Sequence, residues 1–344
     1  MRFTTLFSSA IMSFLLIVVS ATASENTPPE IEGFSRESVT LAAKNMVGTV
    51  LGAPSGDVAV ICSKEKEELA AWITHELESI NVPYTLFKLS DKSPENVDRI
   101  KEHIKANNGS QGLMFLLHPT DMMFFIETVG SPDQGVKISQ EYFFCDWFLS
   151  SPSLVRLHDA DTQELEKFRS YLKSKVTAAK SIHISTDKGT DITVSPRSWI
   201  VSDGEIYTAP VESVTNGTIF VDASAYNGIP KIPFLLKVVD GRVVNLDELD
   251  TDDRQQSMVK KDMLRDANAN VLAELGIGTS INSLWYAEMM EAERARGTCH
   301  FGFGMNINFE GGQNESSYHF DLVIQNPTIT VDGVVICEKG EYLD

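Results

Sequence analysis

DVAVICSKEKEELAAWITHELESI, residues 57–80, opens on an unbroken apolar run, Val58 to Cys62, and continues into a stretch where Leu69, Ile73, Leu77 and Ile80 recur at three-to-four spacing. The first part reads as a strand buried on both faces and the second as an amphipathic helix capped by Ser63. A strand running into such a helix is half of a βαβ unit. The pattern repeats outward. Residues 84–89 read as the next strand, Ser93 and Pro94 as a cap with proline in the first turn, and Val97, Ile100 and Ile104 as the inner face of the following helix. Residues 113–117 give a third strand, and Leu165, Phe168, Leu172 and Val176 mark a last long helix. Residues 38–180 are therefore expected to form a parallel α/β sheet flanked by helices.

From about Ile182 the texture turns β-rich. Residues 235–239, Asp240-Gly241 and residues 242–246 spell a hairpin, because Asp-Gly supplies the positive φ angles of a two-residue turn; residues 328–331, Asp332-Gly333 and 334–337 repeat it. Between the hairpins the spacing of Val259, Met263, Ala267 and Val271 predicts one helix over 255–272, with Glu274 at its end just before Gly276. Residues 181–344 are read as a mixed, β-rich domain carrying that single helix, with the domain boundary near residue 180.

The start of the chain differs in kind. Arg2 is followed by an apolar run from Ile11 to Val19 and then by Ser20, Ala21, Thr22 and Ala23. The run is too short to span a bilayer, and the small residues suit a signal peptidase, so residues 1–23 are expected to be a signal peptide and 24–37 a spacer. The protein is thus expected to be exported, periplasmic or secreted, and free of the membrane after cleavage. A net charge of −19 speaks against nucleic acid as a partner. Cys62, Cys145, Cys299 and Cys337 are too widely spaced for a CxxC element and are read as mostly buried thiols. Of the three sequons, at Asn108, Asn216 and Asn314, the last is expected to carry no glycan, since it lies five residues from His319.

Several residues stand out chemically. His319 and Asp321, two apart in YHFD, project from one face of a strand while Phe320 points into packing. In GTCHFGFG, His300 shares a face with Gly302 and Gly304, leaving room for something other than a side chain. Glu205 follows an Asp-Gly turn, and Glu274 sits among Leu272, Leu275 and Ile277, where a carboxylate is costly without a cation.

Four segments, DGEIYTAPVE (203–212), LAELGIGTS (272–280), RGTCHFGFG (296–304) and GGQNESSYHFD (311–321), resemble in order the motifs of the aminopeptidase T family of metalloaminopeptidases. The likeness extends to GTDIT (189–193), NGTIFVD (216–222) and the PTITVDG hairpin, and more loosely to the α/β half. The resemblance implies a metal-dependent aminopeptidase acting on N-terminal peptide bonds or small amides, with Glu205, Glu274, His300, His319 and Asp321 as ligands of two divalent ions (Zn, Co or Mn). It implies that Glu205 or Glu274 also shuttles the proton, and that the protein is a homodimer. The five residues are expected to converge on one pocket. One departure is plain: the peptidases place a tyrosine seven residues after the third-motif histidine, where this chain has Ile307. Tyr318 is expected to point away from His319. The same superfamily resembles in part iron-dependent enzymes that open hydroxypyridine rings, for which His300, His319 and Asp321 would suffice to hold Fe(II). A non-catalytic exported binding protein is the third reading.

Overall fold

The computed structural model describes residues 27–343 apart from 131–136, 138–140, 147 and 227. The segment read as a signal peptide lies outside the described residues. Four parallel strands, β1 (Val58–Cys62), β2 (Tyr84–Lys88), β3 (Gly112–Leu116) and β4 (Phe143–Asp146), form the first sheet in the order β2-β1-β3-β4. Because β1 is covered on both faces, its apolar run is divided by side-chain alternation. Val58, Val60 and Cys62 enter a core with Met46 of α1 (Arg36–Gly48), Leu69, Ile73 and Leu77 of α2 (Glu67–Ser79). Ala59 and Ile61 enter the opposite core with Val97, Ile100 and Ile104 of α3 (Pro94–Asn107) and Phe125 of α4 (Pro119–Thr128).

Two local expectations are corrected here. Ser63 does not cap α2: a short 3-10 turn, Lys64–Lys66, intervenes, and the serine hydroxyl accepts instead from the His118 amide at 2.7 Å. Ile80 falls past the last helical residue and is 40% exposed. Ser93 does cap α3, accepting from the Asn96 amide, with Pro94 first in the helix.

After α5 (Ser151–His158) and α6 (Thr162–Val176) the chain builds two antiparallel sheets. One holds β5 (Ile182–Ser185), β6 (Asp191–Val194), β9 (Asn216–Val221), β11 (Phe234–Val239), β12 (Arg242–Val243), β16 (Thr328–Val331), β17 (Val334–Glu338) and β18 (Glu341–Tyr342). The other holds β7 (Pro196–Ser202), β8 (Glu205–Pro210), β10 (Ser224–Ala225), β13 (Leu272–Gly278), β14 (Thr298–Gly304) and β15 (His319–Gln325), in the order β10-β15-β14-β13-β8-β7. The sheets share one core, in which Ile184, Ile192, Ile219 and Leu236 face Ile206, Leu275, Phe301 and Leu322, with Leu172 and Val176 of α6 closing it. Both hairpins form as expected: Asp240 and Gly241 have φ of 49° and 76°, Asp332 and Gly333 of 47° and 87°. The strand after Gly241 is shorter than expected, ending at Val243.

The expected helix over 255–272 is also corrected. The helix α7 runs Arg254–Met263, with Val259 and Met263 buried, and Leu272 starts β13. Between them Asp266 accepts from the Asn268 amide, and the Arg242 guanidinium holds the Ala267 carbonyl and the Asn268 and Asn270 side chains. Such Asx bonds offer the backbone an alternative to the helix.

Candidate metal centre

Alternation along four adjacent strands builds the site. Ile206, Leu275, Phe301, Phe320 and Leu322 point into the shared core. Their neighbours in sequence therefore point out the other way: Glu205 on β8, Glu274 on β13, His300 on β14, His319 and Asp321 on β15. Because β15, β14, β13 and β8 lie side by side, all five expected residues converge. Glu274 is thus a strand residue rather than the end of a helix, and its face is set by the same two-residue period.

The His300 Nε2 lies 3.3 Å from Glu205 Oε2 and 3.3 Å from Glu274 Oε1; the His319 Nε2 lies 3.1 Å from Glu274 Oε2 and 3.2 Å from Asp321 Oδ1. Two triads result, Glu205–Glu274–His300 and Glu274–His319–Asp321, each with its ligand atoms within 4.8 Å of one another. Glu274 belongs to both, one oxygen toward each imidazole.

Glycines make the convergence sterically feasible. Gly276 is paired with His300, and a Cβ there would fall on the imidazole. One at Gly302 would stand 2.7 Å from Asp321 Oδ1 and 2.8 Å from both Glu274 Cβ and His319 Cε1. Substituting either would push a site side chain off its position.

The tautomers follow from the other ring nitrogens. His300 Nδ1 faces the Glu293 carbonyl at 3.2 Å and His319 Nδ1 faces the Met305 carbonyl at 2.7 Å. A carbonyl only accepts, so both Nδ1 atoms carry the proton and both Nε2 atoms turn toward carboxylate oxygens. Neutral imidazoles would then oppose lone pair to lone pair, which requires a positive charge between them. With protons in that role, burial lowers the His300 pKa, but the Glu274 hydrogen bond and the Glu205 and Glu274 charges outweigh it and raise it to about 10. Burial opposes the same rise at His319, which Asp321 and Glu274 carry well above its usual value. A divalent cation answers the same requirement with a donor set of mixed oxygen and nitrogen, and the backbone carbonyls are the outer partners that orient metal-binding histidines.

The cluster forms one wall of a cavity of about 1680 Å³ that extends to the carboxyl edge of the parallel sheet, where Lys66, His118 and Ser150 line it. Three wall residues escaped the sequence reading. Glu293 and Arg294 lie in EMMEAERAR (288–296), which reads as a solvated polar stretch and gives no periodic signal of burial. Glu293 is nonetheless buried, and burial together with the Glu205 charge pushes its carboxyl up to about 8. Arg294 stands 3.8 Å from Glu205 and 3.7 Å from Glu293, and its Nε donates to the Asp203 carbonyl. Tyr207, two residues beyond Glu205 on β8, went unread although strand alternation places it on the face of Glu205. Ile307 is 53% exposed. Tyr318 stacks on Phe320 and lies under the Arg265 guanidinium, turned away from His319 as expected.

The sequence profile of the thermophilic metalloprotease (M29) family matches residues 143–342. The chain belongs to that family. As an M29 protein it is a metal-dependent hydrolase, and the matched region contains every residue of the cluster. Among solved structures it is similar to 2,5-dihydroxypyridine dioxygenase from Pseudomonas putida KT2440, with a TM-score of 0.62 and 13% identity over 90% of this chain and 98% of that one. It is likewise similar to wild-type AmpT from Thermus thermophilus, with a TM-score of 0.60 and 13% identity over 90% of this chain and 99% of that one. At such identity the likeness is one of fold. No curated protein matches in sequence.

Proposed function

We propose that this M29 protein is an aminopeptidase that removes N-terminal residues from peptides, or cleaves small amides, using two divalent ions held by Glu205, Glu274, His300, His319 and Asp321. The observation that carries the reading is the pair of triads sharing Glu274. When bound, the ions, whether Zn, Co or Mn, would supply an acidified water and polarise the scissile carbonyl. The chain's residues do the rest. Glu205 or Glu274 takes up and returns the proton, both carboxylates standing 3.3 Å from the His300 ring. Asp321 stands 3.2 Å from the His319 imidazole and completes the second triad.

The likeness to a 2,5-dihydroxypyridine dioxygenase supports the iron reading in fold alone. A single Fe(II) on His300, His319 and Asp321 would, however, leave Glu205 and Glu274 unused although both touch the imidazoles. Export, inferred from residues 1–23, and a homodimer, inferred from the family resemblance, complete the proposal. The test is turnover of unblocked and N-acetylated dipeptides. Hydrolysis of the unblocked peptide alone, lost with chelator and restored by Zn, Co or Mn, is expected; ring cleavage of a hydroxypyridine with Fe(II) and no peptide turnover would contradict it.

A further inference from the structure

Water addition to a peptide carbonyl pushes an electron pair onto the carbonyl oxygen, and a positioned donor at that oxygen is worth a large part of the rate. Several side chains on the cavity wall carry donors. Tyr226 donates to Asp262 Oδ2 at 2.6 Å. Arg294 is held by the Asp203 and Met290 carbonyls and by Glu205. Tyr318 is turned onto Phe320 and Arg265. Tyr207 differs from all three, for among the described residues nothing accepts its hydroxyl.

Its position is set by register. Tyr207 shares a face with Glu205 and pairs with Gly276, which pairs in turn with His300. Gly276 has no side chain and the His300 ring lies over it, so the phenol stands next to the imidazole along that row. Phe309 braces it from outside, 5.1 Å from the Tyr207 ring and 5.7 Å edge-on to the His319 ring. Phenol and cluster are thus held by the same aromatic side chain.

We propose that Tyr207 donates a hydrogen bond to the substrate's carbonyl oxygen as negative charge builds on it, a role that rests on the peptide-hydrolase reading. In that step the water oxygen bonds to the carbonyl carbon, a water proton passes to a carboxylate of the Glu205/Glu274 pair, and the C=O pair moves onto the oxygen facing Tyr207. When that pair returns, the C–N bond breaks and the nitrogen leaves with the proton the carboxylate held. The phenol keeps its own proton throughout.

Tyr207→Phe retains the ring and its packing on Phe309, so metal-loaded native and variant proteins can be compared directly. The variant is expected to lose about 10²–10³ in kcat with KM and bound metal unchanged. Affinity for a phosphonamidate dipeptide, which mimics the tetrahedral oxyanion, should fall by a similar factor, while affinity for the product amino acid stays as in the native protein. A kcat within roughly threefold of native, or equal losses for phosphonamidate and product, would overturn the role of Tyr207. A native protein that turned over no peptide would overturn the hydrolase reading and this role with it.

Discussion

At the scale of single residues the site depends on side chains that are absent as much as on those present. Gly276 and Gly302 keep clear the space that His300, Asp321, Glu274 and His319 occupy. Gly276→Ala should therefore lower metal affinity by about 10- to 100-fold, the usual effect of disturbing a metal ligand's surroundings, with the fold retained. Metal content after equilibrium dialysis, set beside the circular dichroism spectrum, checks this; unchanged metal content would contradict it. A second prediction concerns His158, which packs on Phe144. Burial holds its imidazole below the ordinary 6.5, against the pull of the Asp203 and Asp146 charges. The unfolded chain then binds the proton more readily than the folded one, so the contribution to stability is complete above pH 6.5 and is lost as pH falls toward the depressed folded value. Melting temperature should drop between pH 7 and about 5.5, and His158→Phe should flatten that part of the profile. Equal slopes in both proteins would contradict it. Of the site, the five cluster residues were legible in the motifs. Glu293 and Arg294 were not, because a buried acid beside a half-buried arginine spells the same letters as a solvated pair.

Among elements, the uniformly buried strands of the parallel sheet were legible. β1 and β3 are covered on both faces and read as continuous apolar runs, whereas the hairpin turns announced themselves through Asp-Gly. The failure of the expected helix over 264–272 has a physical cause. Val271 and Leu275 continue the four-residue spacing of α7, while a register shift between Leu272 and Glu274 lets Leu272, Leu275 and Ile277 all enter the core of a strand, and the decision is made by Asp266 and by Arg242 from a distant hairpin. The short helix α8 (Met289–Ala292) was equally illegible, since its partners lie far off in sequence. Glu291, wholly buried, accepts from Nε and Nη2 of Arg156 on α5 at 2.6 and 2.7 Å, and Glu288 accepts from the Ser150 amide at 2.9 Å. The same segment then supplies the Glu293 carbonyl to His300. Arg156→Ala would strand a buried carboxylate and should cost about 3 kcal/mol in urea unfolding, with weaker metal binding through the displaced Glu293 carbonyl. A loss under about 1 kcal/mol would show that the pair contributes little.

For the molecule as a whole, the parallel sheet supplies a rim to the cavity and the β-sandwich supplies its floor, and no helix among the described residues is long and apolar enough to cross a membrane. Export is a separate expectation: the protein recovered from its native source should begin at or near Ser24, and N-terminal sequencing that found Arg2 would contradict it. The central claim is that Glu274 joins two metal positions on one sheet face. It is tested most directly by counting metal ions per chain by mass spectrometry under non-denaturing conditions, in the native protein and in Glu274→Ala. The account predicts two divalent ions per native chain and a marked loss of both in the variant, because each position gives up a ligand. A native chain that holds a single iron, unchanged by Glu274→Ala, would contradict it.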